Sequence, residues 1–427
     1  MEKKWKKNLI IGAVSIGLLT AGILTYNKVM YQKSTTNTLI NSTENYELNN
    51  TNLVGVYIQE GEDYTKTDTI PEEGYTLNQE KSYCKVNDSN IDATISYDAE
   101  TKTLSVSPLT TKGTKCYLYF DEQLCTGEAC NTILAGKTLA TRTDFSTTLT
   151  TDTTRTIYYE DTSKGTTYYF AGNPTDNWVR FAGFYWRIVR INEDGSIRLI
   201  YNGTGTGTTG TSTQIQTSAF NSSHNNNMYV GYMYQRNQVH GLTTDSTIKI
   251  ELDEWYEENL QSHADKISTE AGFCGDRTPY TNTSETTSGG GTGTKLTYYA
   301  GYIRLITNKQ PSFECSNSSD LYTTSGSSQG NKSLTYPIGL ISADEVAYAG
   351  GVYFTNNTSY YLYTGQGYWT MSPRYFIGSN ASVFIVYDGD LNDGYVNVAF
   401  GVRPVVNLKA DVTITGEGTS SNPYTIS

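Results

Sequence analysis

The segment YDGDLNDGY sets Asp388, Asp390, Asn392 and Asp393 close together beside glycine. Oxygen ligands at alternate positions are how a loop wraps a hard cation such as calcium. The match to an EF-hand loop is incomplete. Gly394 comes one place late, and Ala399 occupies the twelfth position, where a bidentate glutamate belongs. A polar hairpin turn between ASVFIVY and YVNVAF explains the same residues. Calcium at Asp388, Asp390 and Asn392 is the one cofactor these residues suggest, and no other is expected.

A second group is GYWTMSPRYF, with Trp369, Arg374, Tyr375 and Phe376. Trp, Tyr and Arg dominate interface energies. Proline cannot donate to a sheet ladder, so Pro373 is expected to end a strand and place Arg374, Tyr375 and Phe376 on a loop. That loop is the expected ligand-binding surface. The competing reading puts Trp369 in the core and folds Phe376 back into it.

Catalytic constellations are harder to find. His224, His240 and His263 lie in polar surroundings, and no HExxH motif or nucleophile triad can be built on them. Asp253 and Glu257 could pair as acid and base, but their spacing puts them on the charged, water-facing side of a helix. GTGTGTTG lacks the lysine of a phosphate loop. No catalytic residue is nominated.

The six cysteines fit an oxidising compartment. Six allow fifteen pairings. Neighbourhood favours Cys84 with Cys116, Cys125 with Cys130 across the TGEA loop, and Cys274 with Cys315. Zinc is the rival, but the spacings are not paired CxxC motifs.

These residues sit behind an unusual start. Lys3, Lys4, Lys6 and Lys7 precede an uncharged run from Asn8 to Tyr26, followed by Lys28 and Lys33. Such a run is about long enough to span a bilayer as a helix, with its basic end held in the cytoplasm. No small-x-small cleavage site follows, which separates it from a signal peptide. The expectation is a single-pass signal anchor in the cell membrane over residues 1–33, with the rest outside. The chain carries −12. Residues 1–33 hold six lysines and one glutamate, so the remainder carries −17. An acidic exported chain argues against nucleic acid as a partner.

Residues 34–52 lack apolar periodicity and read as a polar stalk. Residues 53–123 alternate like strands and suggest a small Ig-like β unit with a hairpin loop at Asp98–Thr101. Residues 124–154 read as a Thr-rich linker carrying the Cys125–Cys130 loop. Residues 155–427 form the largest domain. Its clearest hairpin is FYWRIVRINEDGSIRLIYNG, with Asp194-Gly195 at the turn. Ile248, Leu252, Trp255 and Leu260 lie on one helix face, capped by Asp245 or Ser246. Ser342 and Glu345 form a capping box for a short helix that Gly350 ends. GTGTGTTGTSTQ and TNTSETTSGGGTGT are expected to be mobile loops.

Five segments carry a family resemblance: WVRFAGFYWRIVRINEDGSIRLIYNG, FCGDR, YPIGLISADEVAYAGG, GYWTMSPRYF and FGVRPVVNLK. With the tail GEGTSSNPYTI, the stretch from about Tyr158 to Ser427 resembles bacterial surface proteins with a C-terminal C-type-lectin-like domain, including modules from Firmicutes. The resemblance implies that the large domain is C-type-lectin-like with long polar loops; with the transmembrane helix and small β-sandwich-like unit read above, the expected fold class is strand-dominated α+β. The function of that family is unassigned; the anchor, the stalk, the accessory β unit, the binding-type fold and the lack of a catalytic constellation together lead to a membrane-anchored surface binding or adhesion protein whose ligand is a glycan, a wall polymer or a surface protein. The Glu-Pro-Asn and Gln-Pro-Asn triplets of calcium-dependent sugar binding are absent. An exported enzyme acting on cell-wall or host glycans is the alternative.

Overall fold

The computed structural model describes residues 38–40, 45–47, 53–60, 63–67, 69–71, 74–98, 103–107, 114–280 and 290–426. Among these residues, no helix is long and apolar enough to cross a membrane. The fold class is therefore corrected to a strand-dominated α+β protein with no transmembrane helix among the described residues. The apolar run from Asn8 to Tyr26 lies outside the described residues. Within the expected stalk, Thr38–Ile40 pairs antiparallel with Asn45–Glu47.

The chain forms two units, Met1–Leu124 and Cys125–Ser427. In the first, Lys115–Glu122 is the central strand. It pairs parallel with Leu53–Glu60 on one side, and antiparallel with Tyr83–Val86 and Tyr75–Leu77 on the other. Its alternation turns Cys116, Leu118 and Phe120 inward. The hairpin of Thr94–Asp98 with Thr103–Ser107 adds Ile95 and Val106 to the same core; its connection lies outside the described residues. Cys84 and Cys116 stand opposite each other on paired strands and are bridged. So small a core gains from that bridge, on the order of 3 kcal/mol for a loop of this length.

The expected linker is part of the second unit. Helix α1 (Glu128–Leu134) buries Cys130, Ile133 and Leu134 and carries the Cys125–Cys130 bridge. Thr138–Ala140 then pairs parallel with Thr156–Thr162. Arg142 donates to the carbonyls of Ala347 (2.9 Å) and Tyr348 (3.1 Å). The threonines disguised this segment because its few apolar residues follow no period. Tertiary contacts, not amphipathicity, hold it.

Two large sheets, with two short two-stranded ones beside them, make up the second unit among the described residues. Strands β1 (Phe184–Ile191) and β2 (Ile197–Tyr201) form the expected hairpin in the nine-stranded sheet. Gly195 takes φ 80 at its turn, and a Cβ there would sit 1.8 Å from the Thr126 carbonyl oxygen. Helix α2 (Thr247–Asn259) is capped by Ser246, whose side chain accepts from the Lys249 amide. It buries Ile248 and Leu252, as the spacing requires, and Leu260 follows into the core. Trp255 packs against Phe184, Trp186 and Tyr201. Helix α3 (Ala343–Ala349) shows the full Ser342–Glu345 capping box and ends at Gly350 with φ 117.

The six-stranded sheet holds β3 (Tyr368–Ile377), β4 (Asn380–Tyr387), β5 (Asp390–Tyr395) and β6 (Ala399–Val402). The next strand, β7 (Val405–Leu408), belongs to the nine-stranded sheet. The Gly401–Pro404 segment thus crosses from one sheet to the other. Arg403 is fully buried there, donating to the Tyr201 and Leu362 carbonyls and to Asn202. The first Gly/Thr stretch is ordered rather than loose. Gly210 donates to the Thr364 carbonyl at 2.7 Å, and Gln214 is buried. Residues 281–289 of the second stretch lie outside the described residues.

Candidate functional site

All four predicted ligand-binding residues belong to the interior. Strand β3 runs through Pro373 instead of stopping there, and the register shifts on both sides of the proline. Bulges are where a sheet tolerates a residue with no amide proton. The expected loop therefore does not form, and Arg374, Tyr375 and Phe376 are buried within the strand. Phe376 is in the core. Trp369 is also fully buried, donating its indole N–H to the Ser218 carbonyl at 2.8 Å. Arg374 pairs with Asp393 at 3.3 Å and hydrogen-bonds the Tyr353 hydroxyl. Its guanidinium lies over the rings of Tyr375 (4.3 Å), Tyr353 (5.0 Å) and Tyr302 (5.5 Å). The Tyr375 hydroxyl donates to Asp393 at 2.8 Å. An arginine so surrounded is a structural tie.

Asp388 and Gly389 both take positive φ, 48 and 78, and form the tight turn joining β4 to β5. That is the backbone of a two-residue hairpin. Asp390 and Asn392 follow inside β5, not in a loop that wraps an ion. Burial pushes the Asp390 carboxyl up to about 6, against the Asn392 side chain, and the Asp388 charge adds to the rise. Among the described residues, no group of three or more His, Cys, Asp or Glu is placed to hold a metal ion. His240 accompanies Asp320 at 2.8 Å, and Asp320 is bound in turn by Arg277. Asp253, expected to face water, is held at 2.6 Å by the buried Lys249.

The residues that do converge line a cleft of about 370 Å³ in the second unit. Its base is built on charge. Arg190 of β1 and Arg198 of β2 are direct cross-strand partners, a position where like charges repel. Glu345 of α3 separates them. Its Oε1 lies 3.1 Å from Arg190 Nε and 2.5 Å from Arg198 Nε. The Arg198 contact is an ion pair without hydrogen-bond alignment, since that nitrogen has no hydrogen-bond acceptor. Glu345 Oε2 accepts from the Ser342 amide at 2.9 Å, so the capping residue is also the charge hub. Burial alone would raise the Glu345 carboxyl, but Arg198 and Arg190 outweigh it and hold it low.

A second cluster lies beside the first. Arg304 belongs to the π-helical turn Ile303–Thr307, a geometry frequent at functional sites. It binds Asp344 through two parallel bonds, Nε to Oδ1 at 2.6 Å and Nη2 to Oδ2 at 2.8 Å. Its Nη1 reaches Asp276 Oδ2 at 2.9 Å. Burial lowers the Arg304 guanidinium, yet the two carboxylates prevail and hold it above its ordinary value. The Cys274–Cys315 bridge, with sulfurs 2.05 Å apart, forms part of the wall.

Exposed and half-buried groups complete the rim. Glu314 accepts from the Ser163 amide at 2.7 Å, which holds its carboxyl low, and Glu270 is held low by the Ser328 hydroxyl first and by the Ser328 amide, at 2.8 Å, after it. Lys164 donates to Gln329. Phe313 brings one aromatic ring, stacked on Tyr348 at 3.7 Å. The arrangement can offer donors from hydroxyl and amide groups and acceptors from carboxylates around a rigid base of paired arginines and carboxylates.

Sequence reasoning did not nominate Arg190, Arg198, Arg304 or Glu345. One signal was available: arginines embedded in the apolar hairpin FYWRIVRINEDGSIRLIY must find partners when the hairpin is buried. Comparison with known proteins adds nothing to this picture, because no family model, curated protein or solved structure matches the chain.

Proposed function

We propose that the chain is an exported binding protein whose second unit takes a polar ligand, a glycan or glycan-bearing wall polymer, in the cleft beside Arg304 and Glu345. The observation that carries this is the state of the cleft's buried charges. Glu345, Asp344 and Asp276 are each tied to an arginine. Carboxylates so engaged favour a rigid recognition surface over proton transfer, which needs a group poised near the working pH. The size suits a small ligand or a few units of a longer one. Three disulfides support an oxidising compartment. The resemblance to C-type-lectin-like surface modules rests on the quoted segments alone and points the same way.

A glycan array probed with the chain, beside a surface-protein array, tests this reading. Glycan binding that weakens in Glu314→Gln supports it. Binding confined to proteins would remove the glycan assignment. Cleavage of a bound glycan, seen by mass spectrometry, would replace the binding role with the enzymatic one.

A further inference from the structure

The cleft has more negative than positive charge, and the excess has a location. Its lining includes four cations, Lys164, Arg190, Arg198 and Arg304. Against them stand seven carboxylates: Glu345 and Glu193 beside the hairpin arginines, Asp344 and Asp276 beside Arg304, and Glu270, Glu314 and Asp194 outside. The difference is −3. At the hairpin the charges balance, because two arginines face Glu345 and Glu193. At Arg304 they do not, because one guanidinium serves two carboxylates and leaves −1 in the buried wall, the other −2 lying with Glu270, Glu314 and Asp194 against Lys164.

The second observation concerns Asp276. It is 3% exposed and lines the cleft. Its Oδ2 accepts from Arg304 at 2.9 Å and from the Ser316 hydroxyl at 3.0 Å. Its Oδ1 has no donor among the described residues. A buried carboxylate oxygen left without a donor is costly, and a charged donor compensates best. The uncompensated charge and the unmet acceptor coincide on one side chain.

Resting on the glycan-binding reading above, we infer that the cleft selects glycans carrying free amino groups. The ligand's ammonium supplies the missing positive charge next to Asp276, with Glu314 and Glu270 favouring its approach from the rim. The remaining lining suits a glycan better than a peptide. Ser, Thr, Asn and Gln side chains dominate it, and Phe313 and Leu321 are its only large apolar side chains among the described residues. Peptide side chains would want deeper apolar pockets.

The test is calorimetric titration of the chain at about pH 6, where primary amines are charged. The probes are an oligomer of glucosamine with free amines, the same oligomer fully N-acetylated, and a lysine oligomer. The expected result is that the free-amine oligomer binds about tenfold tighter than the acetylated one, as one charge-assisted contact allows. Asp276→Asn and Glu314→Gln should each reduce that preference severalfold, with melting curves confirming the fold. Glu314 lies on the exposed rim, so its variant keeps the test valid if Asp276→Asn does not fold. Equal affinity for the two glycans would overturn amine selection while leaving glycan binding intact. Binding of the lysine oligomer alone would overturn the glycan assignment as well. A preference unchanged in both variants would also overturn the inference.

Discussion

Arg190 and Arg198 face each other across the β1–β2 hairpin, and both bring Nε close to the same oxygen of Glu345. The hairpin is thus built with a repulsion that Glu345, from a distant helix, relieves between the two, while Glu193 pairs with Arg190 alone. Glutamine at 345 would keep the capping geometry but remove the charge. Glu345→Gln is expected to destabilise the protein by about 3–5 kcal/mol, the range for breaking a buried pair. Denaturant unfolding measures it. The pH sense is also set. The folded carboxyl lies below its ordinary value, so its contribution is present above the unfolded pKa and is lost as pH falls through the folded one. The variant's deficit should therefore shrink in acid; a deficit that is the same at every pH would count against the ion pair.

Arg374 gives the opposite expectation from a surface residue. Its removal leaves Asp393 without a guanidinium and strips a cation from three tyrosine rings. Arg374→Ala is expected to cost about 2–4 kcal/mol. A chemical melt decides the matter. A loss below about 0.5 kcal/mol, the usual range for surface changes, would mean that the arginine stands free in solution.

Asp390 makes a prediction with reversed sign. Its folded carboxyl sits at about 6, above the ordinary value of 3.8. Between these values the folded state binds more protons than the unfolded one, so the residue's contribution to stability falls as pH rises and its full cost is present above about 6. Asp390→Asn is expected to raise the melting temperature at pH 7 and to change it little at pH 4. Paired melts of wild type and variant across that window check this. A variant less stable at pH 7 would show that the ionised carboxylate is the favoured form.

Local chemistry in the sequence determined a good deal by itself. Asp194-Gly195 marked the hairpin, the helix period marked Ile248, Leu252 and Leu260, and Ser342 with Glu345 marked a helix start. Cysteine neighbourhoods predicted all three bridges that the structure contains. These features depend on residues a few positions apart, or on cysteines in neighbouring strands of one unit. The cleft was decided only by tertiary structure. Arg304 meets Asp276 from 28 residues away and Asp344 from 40, and no periodicity encodes such meetings. Glu345 shows both levels in one side chain: its place in the capping box follows from a spacing of three residues, while its place between two arginines follows from how a helix packs onto a sheet. Pro373 shows where local rules stop. A proline ends an isolated strand, but neighbours on both sides of β3 held the chain in the sheet and turned the break into a bulge. That burial carried Arg374, Tyr375 and Phe376 inward, because a central strand in a covered sheet leaves its side chains no water to face.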